Sequence, residues 1–272
     1  MKKSVSLLII TTIFLTLFTA CKKDKGDPPV LPPPESMAID FSNFENGTKG
    51  DALISIPKGA EDSYWQLSAS AALLWKAIIY TTLAVPVYSF QLAVEETPVY
   101  LDDKTWQWSC SATLLSVTYG ARLTGQITET NVVWKMYITK EGAGGFTDFL
   151  WFDGTSEFDG TEGQWRLYES PLVPVKILQI DWSVTGDKVG MIKYTYTKSG
   201  AYEGNYIEYG LTTNALNAYY KIHYYNSSEE KLFDLDVEWS TTLHNGRVKC
   251  PVHFQTSNWY CWDSNHLNIT CP

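Results

Sequence analysis

Basic residues are in short supply. The 272 residues carry 21 Lys and Arg against 30 Asp and Glu, a formal charge of −9. Neutralising a nucleic-acid backbone needs clustered cations, so nucleic acid is excluded as a partner. Charge of either sign is sparse at 19%, against about 25% in an ordinary soluble domain. The 44% hydrophobic and 14% aromatic content nonetheless excludes a disordered chain. Five cysteines are too few for a small disulfide scaffold, and no Cys-x-x-Cys occurs to suggest a redox or thiolate zinc site. Only four histidines are present, His223, His244, His253 and His266, and no two stand at ligand spacing. There is no nucleophile elbow, no His-Glu-x-x-His, no phosphate-cradling loop and no dinucleotide fingerprint, so no cofactor is expected. Gly142, Gly144 and Gly145 lead into Phe146 without a Lys or a helix start, and read as a hairpin tip.

What the chain does have begins with an address. Met1-Lys2-Lys3 is a basic start, Ser6 to Phe18 is apolar, and Thr19-Ala20 precede Cys21. The apolar stretch is short for a spanning helix, and the polar run Lys22 to Lys25 follows at once. Leu17-Phe18-Thr19-Ala20-Cys21 resembles a bacterial lipobox, cut before a Cys that carries acyl chains (palmitate among them) on its thiol and new amino terminus. A plain secretory signal with an incidental Cys is the competing reading. Lys22-Lys23-Asp24 is similar to the lysine-then-acid tract that exports lipoproteins of the Bacteroidota type to the surface. The resemblance implies an outer-membrane lipoprotein, anchored through Cys21 and either periplasmic or surface-exposed. Residues 22–35 hold five prolines, which predicts an extended spacer, so the expected organisation is a signal over 1–20, a lipidated tether over 21–36 and one β-rich domain over 37–272.

One segment of that domain reads as helix. Glu61 to Leu83 is apolar nearly all round, with carboxylates and Ser63 at its start and Pro86 expected to stop it at about residue 84. Such a helix belongs inside a core. After it the pattern has period two: Trp106, Trp108 and Cys110; Val132, Trp134, Met136 and Ile138; Leu178, Ile180 and Trp182; Tyr220, Ile222 and Tyr224; Val248, Cys250, Val252 and Phe254. Turn signals at Asp153-Gly154, Asp159-Gly160, Gly186-Asp187, Asn226-Ser227 and Asn245-Gly246 separate the rows closely enough to predict sequential antiparallel strands. The expected fold is mainly β: a strongly curved antiparallel meander, or a partly closed barrel, of about ten strands wrapping the helix. By element order it is similar to the half-barrels of periplasmic lipoprotein carriers. A two-sheet sandwich with one helix is the alternative.

Candidate site residues are few. Cys110, Cys250, Cys261 and Cys271 fall in apolar rows and allow three disulfide pairings, or four buried thiols. Cys110 with Cys271 would staple a closing seam, whereas Cys250 with Cys261 needs a bulge. Asp153, Glu157, Asp159 and Glu162 lie in an imperfect Phe-Asp-Gly-Thr repeat and could give oxygens to calcium, although two hairpin turns explain the same spacing. Asp234, Asp236 and Glu238 share one strand face, which reads as solvated. Tyr137, Tyr219, Tyr225, Tyr260 and Trp262 point away from the apolar rows and could stack on sugars or dock a protein. The expectation is a non-enzymatic binding or structural module. A carrier holding an apolar ligand between helix and sheet, beside Leu73, Ile78 and the inward tryptophans, is one alternative. A glycan-binding or glycan-hydrolysing protein using the outward aromatics with Asp153 and Asp159 is the other.

Overall fold

Strict alternation of apolar and polar side chains becomes one continuous antiparallel sheet. A computed structural model describes residues 25–45, 63–114, 116–186 and 188–272; the signal, Cys21 and the first tether residues lie outside it. Its strands are β1 (Val99–Tyr100), β2 (Thr105–Leu114), β3 (Val117–Ile127), β4 (Val132–Lys140), β5 (Phe146–Ser156), β6 (Glu162–Tyr168) and β7 (Lys176–Thr185). They continue as β8 (Lys188–Tyr196), β9 (Tyr206–Leu211), β10 (Ala218–Asn226), β11 (Lys231–Trp239), β12 (Gly246–Lys249), β13 (Tyr260–Trp262) and β14 (Asn268–Ile269). Strand order follows chain order from β1 to β14, and every neighbouring pair is antiparallel, so the two-sheet sandwich is ruled out. Among the described residues the sheet is an open, strongly curved meander of fourteen strands rather than about ten.

Among the described residues three α-helices accompany it, the short α1 (Ser42–Glu45) and α3 (Pro251–Phe254) and the long α2 (Tyr64–Ala93). Helix α2 lies in the hollow and touches β2 and β3 on one flank and β12 and β13 on the other. Its first turn is capped by the Ser63 hydroxyl, which accepts from the Gln66 amide. By length and composition it would also cross a bilayer, yet Trp65, Leu67, Ala69, Ala72, Trp75, Leu83 and Phe90 are buried in the protein.

Two expectations about this helix are corrected. Pro86 does not end it; the helix runs thirty residues to Ala93 with Pro86 inside. A proline in a helix interior costs about 3 kcal/mol. Beyond it Phe90 is fully buried, edge-on to Phe152 at 6.0 Å and Trp165 at 5.4 Å, and a buried Phe contributes about 1.5–3 kcal/mol. With Ser89 and Ala93 also buried, packing offsets the lost hydrogen bond. Nor is the helix enclosed on all sides. Because the sheet stays open, one stripe faces out, with Tyr80 71% and Ile78 40% exposed.

Between helix and sheet the interior is filled by rings. Trp108, Trp134, Trp165, Trp182, Trp239 and Trp262 are each at most 2% exposed. Three of their indole N–H groups find oxygens: Trp134 donates to Ser156 Oγ at 2.9 Å, Trp165 to Ser36 Oγ at 3.0 Å and Trp262 to the His244 carbonyl at 2.9 Å. Those bonds explain why Ser156 and Ser36 are buried.

The outer face carries a ladder of alternating charge. Asp181, Lys193, Glu208, Lys221, Asp236 and Lys249 stand opposite one another in turn across β7 to β12. Each acid of the row on β11 has a cross-strand partner: Asp234 hydrogen-bonds the His223 ring at 2.7 Å, Asp236 pairs with Lys249 at 2.7 Å and Glu238 with Arg247 at 2.6 Å. Opposite charges directly across strands contribute about 0.2–1 kcal/mol each, and together they set register on the wet face.

The proline-rich segment is part of the body, which therefore begins earlier than Met37. Pro29, Pro32 and Ser36 are buried, and Pro34–Met37 form a turn of 3-10 helix packed on β7, β8 and α2. Trp165 and the strand ends offer a seat that composition alone does not reveal. Residues 25–41 thus form a strap across the hollow, finishing where Phe41 and Phe44 meet Tyr220.

Candidate functional site: an apolar groove beside helix α2

The open stripe of α2 and the strap enclose a groove of about 330 Å³. Its floor is Met37, Phe41, Ile79 and Leu83; its walls are Tyr80, Ala84, Val87 and Tyr88. Alternation along the strap turns Met37, Ile39 and Phe41 towards the protein, buried to 8% exposure or less. The helical contribution recurs every three to four residues as Lys76, Tyr80, Ala84, Tyr88 and Gln91, which places those side chains along one line. Lys76 closes one end by pairing with Glu45 at 2.7 Å, with both side chains more than 40% exposed. A pair that open to water is worth little and is free to exchange partners. Among the described residues no Ser, Thr, Cys, His, Asp or Glu lines the groove, so those residues supply neither a hydroxyl or thiol nucleophile nor an acid–base pair.

Two other hollows have mixed polar and apolar linings. A cleft of about 700 Å³ lies between the strap and the ends of β7 to β11, among Glu35, Asp40, Lys188, Tyr209 and Asn217. Several of its polar groups already have partners: Asn217 donates to Thr241 Oγ1 at 3.0 Å, and Asp40 accepts from the Ser42 amide at 2.9 Å. Burial, with Asp40 nearby, pushes the Tyr209 phenol up to about 12. A shallower hollow of about 350 Å³ lies among Thr155, Glu157, Glu162, Gln164 and Asp181, where Asp181 is held by Gln164 at 2.8 Å and by Gln179. Size does not decide among the three. The smallest combines an apolar lining with few polar groups, the pattern of small-molecule sites.

The residues singled out from sequence are dispersed. Of the calcium candidates, Glu157 and Glu162 meet at the shallow hollow, while Asp153 sits in β5 bound to Arg166 at 2.6 Å and to the Tyr168 hydroxyl at 3.1 Å. Asp159 is occupied by its own turn, accepting from the Thr161 hydroxyl and amide, bonds that lower its pKa. Among the described residues no group of three His, Cys, Asp or Glu is placed to hold a metal. Of the aromatics, Tyr137 is on β4 under the Arg122 guanidinium, 4.3 Å from its ring. Tyr219 and Tyr225 are on β10, the former donating to Glu208 at 3.0 Å and the latter facing Tyr202. Tyr260 is stacked on Phe254 at 3.8 Å and Trp262 is fully buried, so the five form no common platform.

The cysteines resolve into one bridge and two thiols. Cys261 and Cys271 are joined, which removes the Cys110–Cys271 staple and the Cys250–Cys261 pairing. Pro251 ends β12 and starts α3, so Cys250, Val252 and Phe254 do not form the single strand row expected. Burial pushes the Cys250 thiol up to about 11, and burial with Glu96 nearby raises Cys110; both are poor nucleophiles. Among the described residues Leu73, Ile78 and the tryptophans do not face one common space: Leu73 and the indoles are buried, and Ile78 is exposed.

The groove itself was missed because an almost continuously apolar segment reads as a buried rod. The recurrence of Lys76, Tyr80, Tyr88 and Gln91 on one line was the available signal. Compared with protein-family models, with curated proteins and with solved structures, the chain matches none.

Proposed function

We propose that this chain is a lipoprotein of the outer membrane, moored through acyl chains on Cys21, that binds an apolar ligand in the groove between α2 and the strap and performs no chemistry on it. The observation that carries the reading is the lining of the groove: apolar floor and walls, two tyrosines and a lysine at the rim, and no catalytic pair among the described residues. The ligand class it favours is a single alkyl chain whose anionic head pairs with Lys76 in place of Glu45. The site lies on the open side of the helix rather than between helix and sheet, where the tryptophans leave no room.

A dansyl-labelled undecanoic acid titrated into the protein tests the binding. Fluorescence should rise and saturate, and Ala84→Trp, which fills the groove, should weaken binding tenfold or more with the circular dichroism unchanged. Equal binding by a folded Ala84→Trp protein would defeat the assignment. Fractionation of a Cys21→Ser variant tests the mooring separately, and it should leave the membrane fraction.

A further inference from the structure

The strap begins on one rim of the sheet and stays there. The Lys25 ammonium lies 5.6 Å from the Tyr100 ring centre, beside the β1–β2 turn. Five residues on, the strap crosses the β5–β6 turn so closely that a methyl group on Gly160 would lie 3.0 Å from Val30 Cγ1 and 3.4 Å from the Leu31 carbonyl oxygen. Ser36 then takes the Trp165 indole hydrogen bond. Turns β1–β2, β3–β4 and β5–β6 share this rim, because Thr105 pairs with Gln126 and Val132 with Ser156. Strands of nine to eleven residues separate it from the opposite rim by about 30 Å, and Leu172 is 93% exposed on that far side.

Only four peptide units join Lys25 to Cys21, a span of at most about 14 Å. Docking of the strap therefore uses up the length that would otherwise let the body drift from its anchor. Leu101 and Phe158, each nearly half exposed, stand on the same rim, with Asp102, Asp103, Glu157 and Asp159 around them. Such a surface suits the headgroup layer of a zwitterionic bilayer; the acids resist both deep insertion and anionic lipid.

We propose that Lys25–Ser36 is a clamp that fixes the body's orientation, holding the Leu101–Phe158 rim against a zwitterionic lipid surface and turning the Leu172 loop away. This rests on the acylation of Cys21 proposed above.

The test uses the acylated protein in phosphatidylethanolamine–phosphatidylcholine vesicles containing a rhodamine-labelled lipid. In a Cys110→Ser background, a coumarin maleimide is placed at Phe158→Cys or Leu172→Cys. Energy transfer to the membrane should be several-fold greater from position 158; equal or reversed transfer overturns the clamp. A flexible insertion of eight Gly and Ser residues between Asp24 and Lys25 should bring transfer from 158 towards the level at 172 without changing the melting temperature. Unchanged transfer would assign the orientation to the rim alone and equally overturn the clamp. Failure of the parent protein to float with vesicles, or flotation unaffected by Cys21→Ser, refutes the acylation reading instead.

Discussion

Gly154 and Trp165 face each other across β5 and β6, and a methyl group on Gly154 would lie 2.4 Å from the indole Cε3 and 2.2 Å from the Gln164 carbonyl oxygen. The indole lies flat over the glycine, in the space a side chain would take. The same relation recurs one pair along, where Gly163 faces Trp182 and its added methyl would lie 2.6 Å from Cζ2. A strand glycine normally weakens a sheet, but here its bare backbone seats a core ring.

Gly154→Ala should therefore destabilise, although alanine is the smaller perturbation at an ordinary strand position. Overpacking against a rigid ring and a backbone carbonyl costs about 1–3 kcal/mol. At roughly 2–4 °C per kcal/mol for a chain of this size, the melting temperature should fall by several degrees. Differential scanning calorimetry measures it, and a melting temperature at or above that of the parent would contradict the seat.

The same glycine shows where the sequence could and could not be read. Asp153-Gly154 and Asp159-Gly160 are the same dipeptide, and both signal a hairpin. Only the second is a turn, with Gly160 at φ +69°; the first lies inside β5, where Asp153 pairs with Arg166 outside and Gly154 admits Trp165 inside. The choice depends on partners on the next strand, which local sequence does not contain. The period-two rows were legible because each strand has one dry face: Val132, Trp134, Met136 and Ile138 are all buried as the alternation implies. Pro86 and the strap were not, since both are held by distant rings, Phe152 with Trp165 in one case and Trp165 with Tyr220 in the other. The groove depends on the sheet remaining open, a property of total curvature rather than of any window of residues.

The disulfide has a consequence for the start of α2. It closes a loop with a sequence separation of 10, and that loop reaches the helix: the Asn268 side-chain oxygen accepts from the Tyr64 amide at 2.9 Å, and the His266 ring stacks on Trp65 at 4.1 Å. Cys271→Ser should lower stability by about 2–3 kcal/mol, the lower part of the usual range because the loop is short. Amide exchange at Tyr64 should accelerate with it. A reducing agent should bring the parent protein to the variant's melting temperature and leave the variant unchanged; identical melting of oxidised parent and variant would show that the loop does not fasten the helix.

Acid should act on this contact as well. Burial against Trp65 lowers the pKa of His266, His244 nearby lowers it further, and Asp263 opposes both. The positive end of the α2 dipole, at Ser63 beside the His266 carbonyl, also disfavours an imidazolium there. An unfolded histidine titrates near 6.5, so below that pH the unfolded chain takes up a proton more readily than the native one. The stability linked to His266 is therefore fully present above about pH 6.5 and is lost as pH falls through the lowered native value. His266→Asn keeps a residue suited to the left-handed backbone at this position (φ 65°) and removes the titration. Between pH 7 and pH 5 the parent should lose more stability in urea unfolding than the variant, the two curves running parallel above pH 7. Parallel curves throughout would show that the stack is indifferent to protonation.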